Sequence, residues 1–172
     1  MGDFEGKAVL VTGAAGGIGR AAAVQFAQQG ASVVVADIDE EGLARTVEMA
    51  GDSVTSVLGD VANEASCQAM VDATVAQTGR LDVLFSNAGI SGNRAKLADI
   101  TTEDWFRVLN IDLTGVFFCA RAAIPAMQES GGGVILTTAS VDGLVGLPSV
   151  AHYVAAKHGV SGLTTNRALE SA

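Results

Sequence analysis

Tyr153 and Lys157 stand one helical turn apart, so on a helix both side chains share one face. A free phenol has a pKa of about 10, too high to ionise near neutrality. An ammonium beside it favours the phenolate, and a Tyr tuned in this way can pass a proton to or from a substrate oxygen. Standing alone, such a pair reads first as a half-solvated Tyr beside a snorkelling Lys. His152 adjoins Tyr153, but neighbours on a helix point in different directions. It therefore reads as a structural or pocket-rim His.

Four more polar residues, Asp37, Asp60, Asn87 and Ser140, each follow a short apolar run. Any one of them could simply start a loop. Together they would sit outside the carboxyl ends of parallel strands, where open sheets bind ligands. The first run ends in a turn with Gly13, Gly17 and Gly19. Small residues there let a pyrophosphate approach the backbone, and the helix that follows offers free N–H groups and its positive end. The spacing is not the usual GxGxxG, and glycines also make purely structural turns. Asp37 closes the second run, where a carboxylate can accept both ribose hydroxyls of an adenine nucleotide and would repel a 2′-phosphate. With no Lys or Arg beside it, this favours NAD over NADP.

These residues need elements to hold them. Apolar runs at 7–12, 32–36, 53–58, 81–86 and 134–139 read as five buried strands. Helical spacing follows at 17–29 and 39–50, and again after Asn63, a plausible N-cap whose helix turns Cys67, Val71 and Val75 inward. A long helix is expected after residue 101, capped by Thr102, with Trp105, Leu109, Leu113, Val116 and Phe117 as its apolar face. Trp105 then packs rather than reacts. Phe106, Phe118 and Ile124 lie off that face, so the helix has a second apolar side to bury. A last helix runs from about Val150 to the chain end. Residues 90–100 form a loop. Strand and helix alternate without a linker, which makes the chain, 1–172, a single α/β domain: a doubly wound parallel sheet of five strands with helices on both faces.

Composition narrows the function. Lys and Arg total 10 against 19 Asp and Glu, a net charge of −9. Such a chain repels nucleic acid and anionic membranes. The two histidines and two cysteines form no ligand cluster, so no metal site is expected. Cys67 and Cys119 read as buried free thiols of a reducing compartment. The first residues carry acids where a secretion signal needs bases, and no apolar run approaches the ~18 residues of a membrane span. The expected location is the cytoplasm.

As a set, these motifs resemble those of the short-chain dehydrogenase/reductase family over nearly the whole chain. Gly13, Gly17, Ile18 and Gly19 look like its cofactor turn, Asp60 and Val61 like its adenine-contacting pair, and Asn87, Ala88 and Gly89 like its motif after the fourth strand. Asn110, Ser140, Tyr153 and Lys157 match its active-site positions. The resemblance implies a Rossmann-like fold and hydride transfer between NAD and an alcohol or ketone. Tyr153 would be the general acid and base, and Ser140 would hydrogen-bond the reacting oxygen. Lys157 would bind the nicotinamide ribose and lower the Tyr153 pKa, with Asn110 holding a relay water. It also implies a homodimer or homotetramer through the long helix and the last one.

Family chains continue past the last helix into further strands and a substrate-covering segment. The resemblance therefore implies a C-terminally truncated form, inactive or nearly so by itself, with its fifth strand exposed as an edge. The substrate-lining candidates are 91–96, Val141, Asp142 and 147–152. Two other readings are a non-catalytic dinucleotide sensor on the same fold and an NADP-dependent 3-oxoacyl-type reductase. Ser140, Tyr153 and Lys157 oppose the first, and Asp37 the second.

Overall fold

The computed structural model describes residues 2–170. Met1, Ser171 and Ala172 lie outside the described residues, so the last helix is followed only as far as Glu170 rather than to the chain end.

Five parallel strands lie in the order β3-β2-β1-β4-β5. They are β1 (Ala8–Thr12), β2 (Ser32–Asp37), β3 (Val54–Leu58), β4 (Val83–Ser86) and β5 (Val134–Thr137). The helices are α1 (Gly17–Gln28), α2 (Glu40–Ala50), α3 (Glu64–Thr78), α4 (Thr102–Leu109), α5 (Gly115–Glu129) and α6 (Ala151–Glu170). Strands β4 and β5 are two residues shorter at one end than their apolar runs suggest.

The strands are apolar on both sides because both faces are covered. In β1 and β2, Val9, Val11, Val33 and Val35 pack with Ala23 of α1 and Leu43 of α2. Leu10 and Val34 point the other way, against Cys67, Met70 and Val71 of α3 and Cys119, Ala123 and Met127 of α5. Cys67 and Cys119 are buried free thiols, as expected. The register pairs Thr12 with Ala36, Asp37 with Leu58 and Ser86 with Thr137, which brings the strand ends level. Residues that follow them therefore meet along one edge.

Asn63 caps α3 as expected, accepting the Ser66 N–H at 3.0 Å. The α4 cap is Thr101, not Thr102: its hydroxyl accepts the Asp104 N–H at 3.1 Å, and Thr102 already lies in the first turn. The long helix differs from its expected form in a further way. A π-helical turn, Asn110–Thr114, joins α4 to α5, with the Gly115 N–H reaching back to the Asn110 carbonyl. The buried stripe is Asp104, Val108, Asp112, Val116, Cys119 and Ala123. Of the expected face, Val116 is buried, Trp105, Leu109 and Leu113 are half-buried, and Phe117 is exposed. Two causes combine. The acids point inward because they find partners there, and the wider π turn advances every later position around the axis.

By length and composition, the continuous stretch Thr102–Glu129 could cross a bilayer, which its short apolar runs do not suggest. In this fold its residues Val108, Val116, Cys119, Ala123 and Met127 are buried. Strand β5 is the sheet edge, and Val134 and Leu136 stand exposed on it, as the strand order implied.

Candidate active site at the carboxyl edge of the sheet

The cleft at this edge is lined by Gly13, Gly16, Asp37, Asp60, Val61, Asn87, Ala88 and Gly89, joined by Ile38, Ile90 and Ile111. At two positions the β1 turn leaves no room for a side chain. Gly13 has φ +66°, and a Cβ on it would stand 2.7 Å from the Ala88 Cα. A Cβ on Gly19 would press on the Gly13 carbonyl and lie 2.8 Å from the Asn87 amide nitrogen. Gly17, at φ +52°, completes the turn into α1. No side chain caps the start of α1 and no acid lies in its first turn, so its first N–H groups are available to an anion. Ile18 is two-thirds exposed beside the turn.

Asn87 knits this turn to the rest of the edge. Its amide donates to the Thr12 and Gly13 carbonyls at 3.1 and 3.2 Å, and its side-chain oxygen accepts from the Thr138 hydroxyl at 3.0 Å. Asp37 does more than close β2. One carboxylate oxygen accepts the Ala15 N–H at 3.0 Å, and the other accepts the Ile38 and Asp39 N–H groups at 2.7 and 3.1 Å. Asp60 accepts the Ala62 N–H at 2.9 Å. Arg20, a cation at the turn, is held by the Thr46 hydroxyl and by the Ala15 and Gly42 carbonyls. It supports the turn, and nothing in its local sequence marks that role.

At the other end of the cleft, Lys157 is buried, although it is a lysine. Its ammonium donates to the Thr138 carbonyl at 3.1 Å and lies 3.2 Å from Asp112 Oδ2. It stands 5.4 Å from the centre of the Tyr153 ring. Tyr153 is half-buried. Ser140 lies three residues beyond β5, where its Oγ accepts the Asp142 N–H at 3.1 Å. A Cβ on Gly89 would stand 3.4 Å from the Lys157 ammonium, which puts Lys157 against the floor of the cleft.

Asn110 is exposed, and the residue brought to Lys157 is Asp112, two positions on and fully buried. Asp112 Oδ1 accepts the Ile90 N–H at 2.8 Å, while its Oδ2 has the ammonium near it but no aligned donor. Burial pushes the Asp112 carboxyl up, against the pull of the Ile90 N–H and Lys157. One signal was present in the sequence: Asp104, Val108 and Asp112 repeat at helical spacing, with acids where apolar residues should stand. Three of the substrate-lining candidates, Asp142, Val150 and His152, are buried. The His152 ring nitrogens are engaged inside the protein, while Val141 and Leu147 are exposed.

The sequence model of the short chain dehydrogenase family matches residues 7–172. The chain is 40% identical to the cyclohexanol dehydrogenase of Acinetobacter sp. (strain SE19), over 98% of this chain and 68% of that protein. It is 41% identical to the levodione reductase of Leifsonia aquatica, over 97% of this chain and 64% of that protein. The crystal structure of carveol dehydrogenase from Mycobacterium avium in complex with NAD superposes with a TM-score of 0.95 at 36% identity, covering 99% of this chain and 67% of that one. The chain thus spans about two thirds of the length of these relatives.

Proposed function

The chain belongs to the short-chain dehydrogenase family, and from that premise we propose that it serves an NAD-linked oxidoreductase acting on a small secondary alcohol or its ketone. The observation that carries this reading is Lys157, a buried ammonium set between the Tyr153 ring and the Gly89 floor of the cleft. It joins a dinucleotide cleft to a proton-transfer group. The cleft suits the cofactor because Gly13 and Gly19 let the turn pack against Ala88 and Asn87 with no side chain between, and because the start of α1 is uncapped. Asp37 faces it with a carboxylate, which favours a ribose diol over a 2′-phosphate.

When bound, the nicotinamide supplies or takes up the hydride. The protein does the rest. The Tyr153 hydroxyl gives a proton to the reacting oxygen, or takes one from it. The Lys157 ammonium stands beside that side chain, 5.4 Å from the centre of its ring. The Ser140 hydroxyl steadies charge on the same oxygen. In this reading Asp112 and the Thr138 carbonyl hold the ammonium in place. A cyclohexanol dehydrogenase is among the named relatives, so alicyclic alcohols head the substrate panel. Exposed Phe106 and Phe117 on α4 and α5 suggest a face for two-fold pairing with a second copy. Light scattering tests that assembly, and a stable monomer at micromolar concentration would overturn it.

The test of the chemistry follows nicotinamide absorbance over cyclic and acyclic secondary alcohols. Tyr153→Phe should lose about 10²–10⁴-fold in turnover, with NAD affinity within about twofold. Retained turnover in that variant would remove Tyr153 from the mechanism.

A further inference from the structure

We propose that His152 and Asp104 are positioning residues that act through Tyr153, locking the start of α6 to the loop that follows β4. The inference rests on the reading of Tyr153 as the general acid and base.

The first N–H groups of a helix have no partner inside it. In α6, the Val154 N–H already bonds back to the Val150 carbonyl at 3.0 Å. The Tyr153 N–H instead donates to Nδ1 of His152 at 2.8 Å. Nδ1 is therefore an acceptor, and the ring proton sits on Nε2. Nε2 lies 3.1 Å from Asp104 Oδ2 and 3.2 Å from the Asn93 carbonyl. The ring is fully buried, so each of these bonds is made without competition from water.

Asp104 is equally fixed. Its carboxylate accepts from Arg107 Nε at 3.1 Å and from the Asn93 N–H at 2.8 Å. The Arg107 hydrogen bond is the main cause that holds the Asp104 carboxyl below the usual carboxylate range, so it remains an acceptor. Asn93 is thus gripped on both sides, its N–H by Asp104 and its carbonyl by the imidazole.

The loop is also tied at a second point. The Ala95 N–H donates to the Ser149 carbonyl at 3.0 Å, just before α6 begins. Ser149 has φ +70°, a conformation non-glycine residues adopt mainly when the surroundings impose it. Gly92, at φ +68°, closes the fit, since a Cβ there would stand 2.6 Å from Nε2.

Apolar packing could close this corner with less desolvation. What the polar chain adds is direction. Tyr153 follows the imidazole in the first turn of α6, and helix ends fray. An error of about 1 Å in a reacting group can cost ~100-fold in rate. The ring holds the Tyr153 backbone by one nitrogen and the loop by the other.

Two substitutions separate the halves. His152→Gln keeps a donor toward Asp104 and gives the Tyr153 N–H no acceptor. His152→Asn keeps that acceptor and cannot reach Asp104. Measured on the intact protein with NAD and an alicyclic alcohol, both should lower kcat about tenfold or more, with the KM for NAD within about twofold. Asp104→Asn, which approaches from the far side of the chain, should lower kcat in the same selective way. Wild-type kcat in both His152 variants, with Tyr153→Phe inactive, overturns this inference and leaves the role of Tyr153 standing. Turnover in Tyr153→Phe overturns the reading beneath it. Equal losses of kcat and NAD affinity in all three variants would assign the pair a purely structural role, which also overturns the inference.

Discussion

The β1 turn and the Lys157 corner lie at opposite ends of one cleft and are held by different means. Around Gly13 and Gly19 the contacts are neutral: backbone carbonyls, the Asn87 amide and close glycine approaches. Around Lys157 the contact is ionic and buried, its ammonium with Asp112, and nearby the Asp104 carboxylate accepts from Arg107 and lies 3.1 Å from His152 Nε2. A neutral cradle can approach a charged ligand closely without carrying charge of its own. A proton-transfer site can use charge, since a charge close by changes which protonation state a group prefers. The cost is that each ion depends on its partner for stability.

The largest expected effect tests the ionic corner. Lys157→Met leaves Asp112 buried and unpaired, and should cost about 3–4 kcal/mol in urea unfolding at neutral pH. The cost should shrink in acid, because burial already favours the protonated form of Asp112. A loss that does not change with pH would break the contrast between the two ends.

Gly19→Ala tests the neutral end. The added Cβ meets the Gly13 carbonyl and the Asn87 amide, so about 1–3 kcal/mol should be lost by the same measurement. That loss should be insensitive to pH. Calorimetry should also show weaker NAD binding, because the turn must shift.

Asp37 sits where the two modes meet, a carboxylate whose oxygens are occupied by backbone N–H groups. Asp37→Ala should shift the ratio of NAD to NADP affinity about tenfold toward NADP, or about 1.4 kcal/mol. An unchanged ratio in calorimetric titration would show that the carboxylate serves the turn alone.

The smallest effect is at the opposite edge of the sheet. Burial raises the Asp82 carboxyl, but hydrogen bonds from Arg80, the Ala8 N–H and Lys7 outweigh it and bring it to about 2. A carboxyl held below its unfolded value stabilises the fold above that value, and the gain is lost as pH falls from about 4 to about 2. Lys7 and Arg80 are nearly half exposed, so screening leaves roughly 1 kcal/mol. Asp82→Asn should flatten the acid limb of stability against pH by that amount.

Much of the cleft was legible before any coordinates. The apolar runs, the glycine spacing, Asp37, Asn87 and the Tyr153–Lys157 interval are local patterns, and the structure sets them along one edge. The expected apolar face of the long helix failed where a π turn changed the period. Asp112, rather than Asn110, meets the Lys157 ammonium for a related reason, while His152 is buried, as its structural reading expected. One residue's neighbours in sequence say little about which way it points once a helix departs from regular winding.

The sequence by itself determined the alternation of strand and helix, the apolar character of both sheet faces and the types of residue that end each strand. These follow from short-range sterics and from the spacing of apolar residues. Only the tertiary structure decided that Asp112 faces Lys157 and that Asp104 and His152 enclose Asn93. Those pairings join segments far apart in the chain, and a single Asp on a helix does not show in its spacing which partner will meet it. Its inward turn is favourable only where a distant cation or N–H group is already waiting, and that is a property of the packed whole.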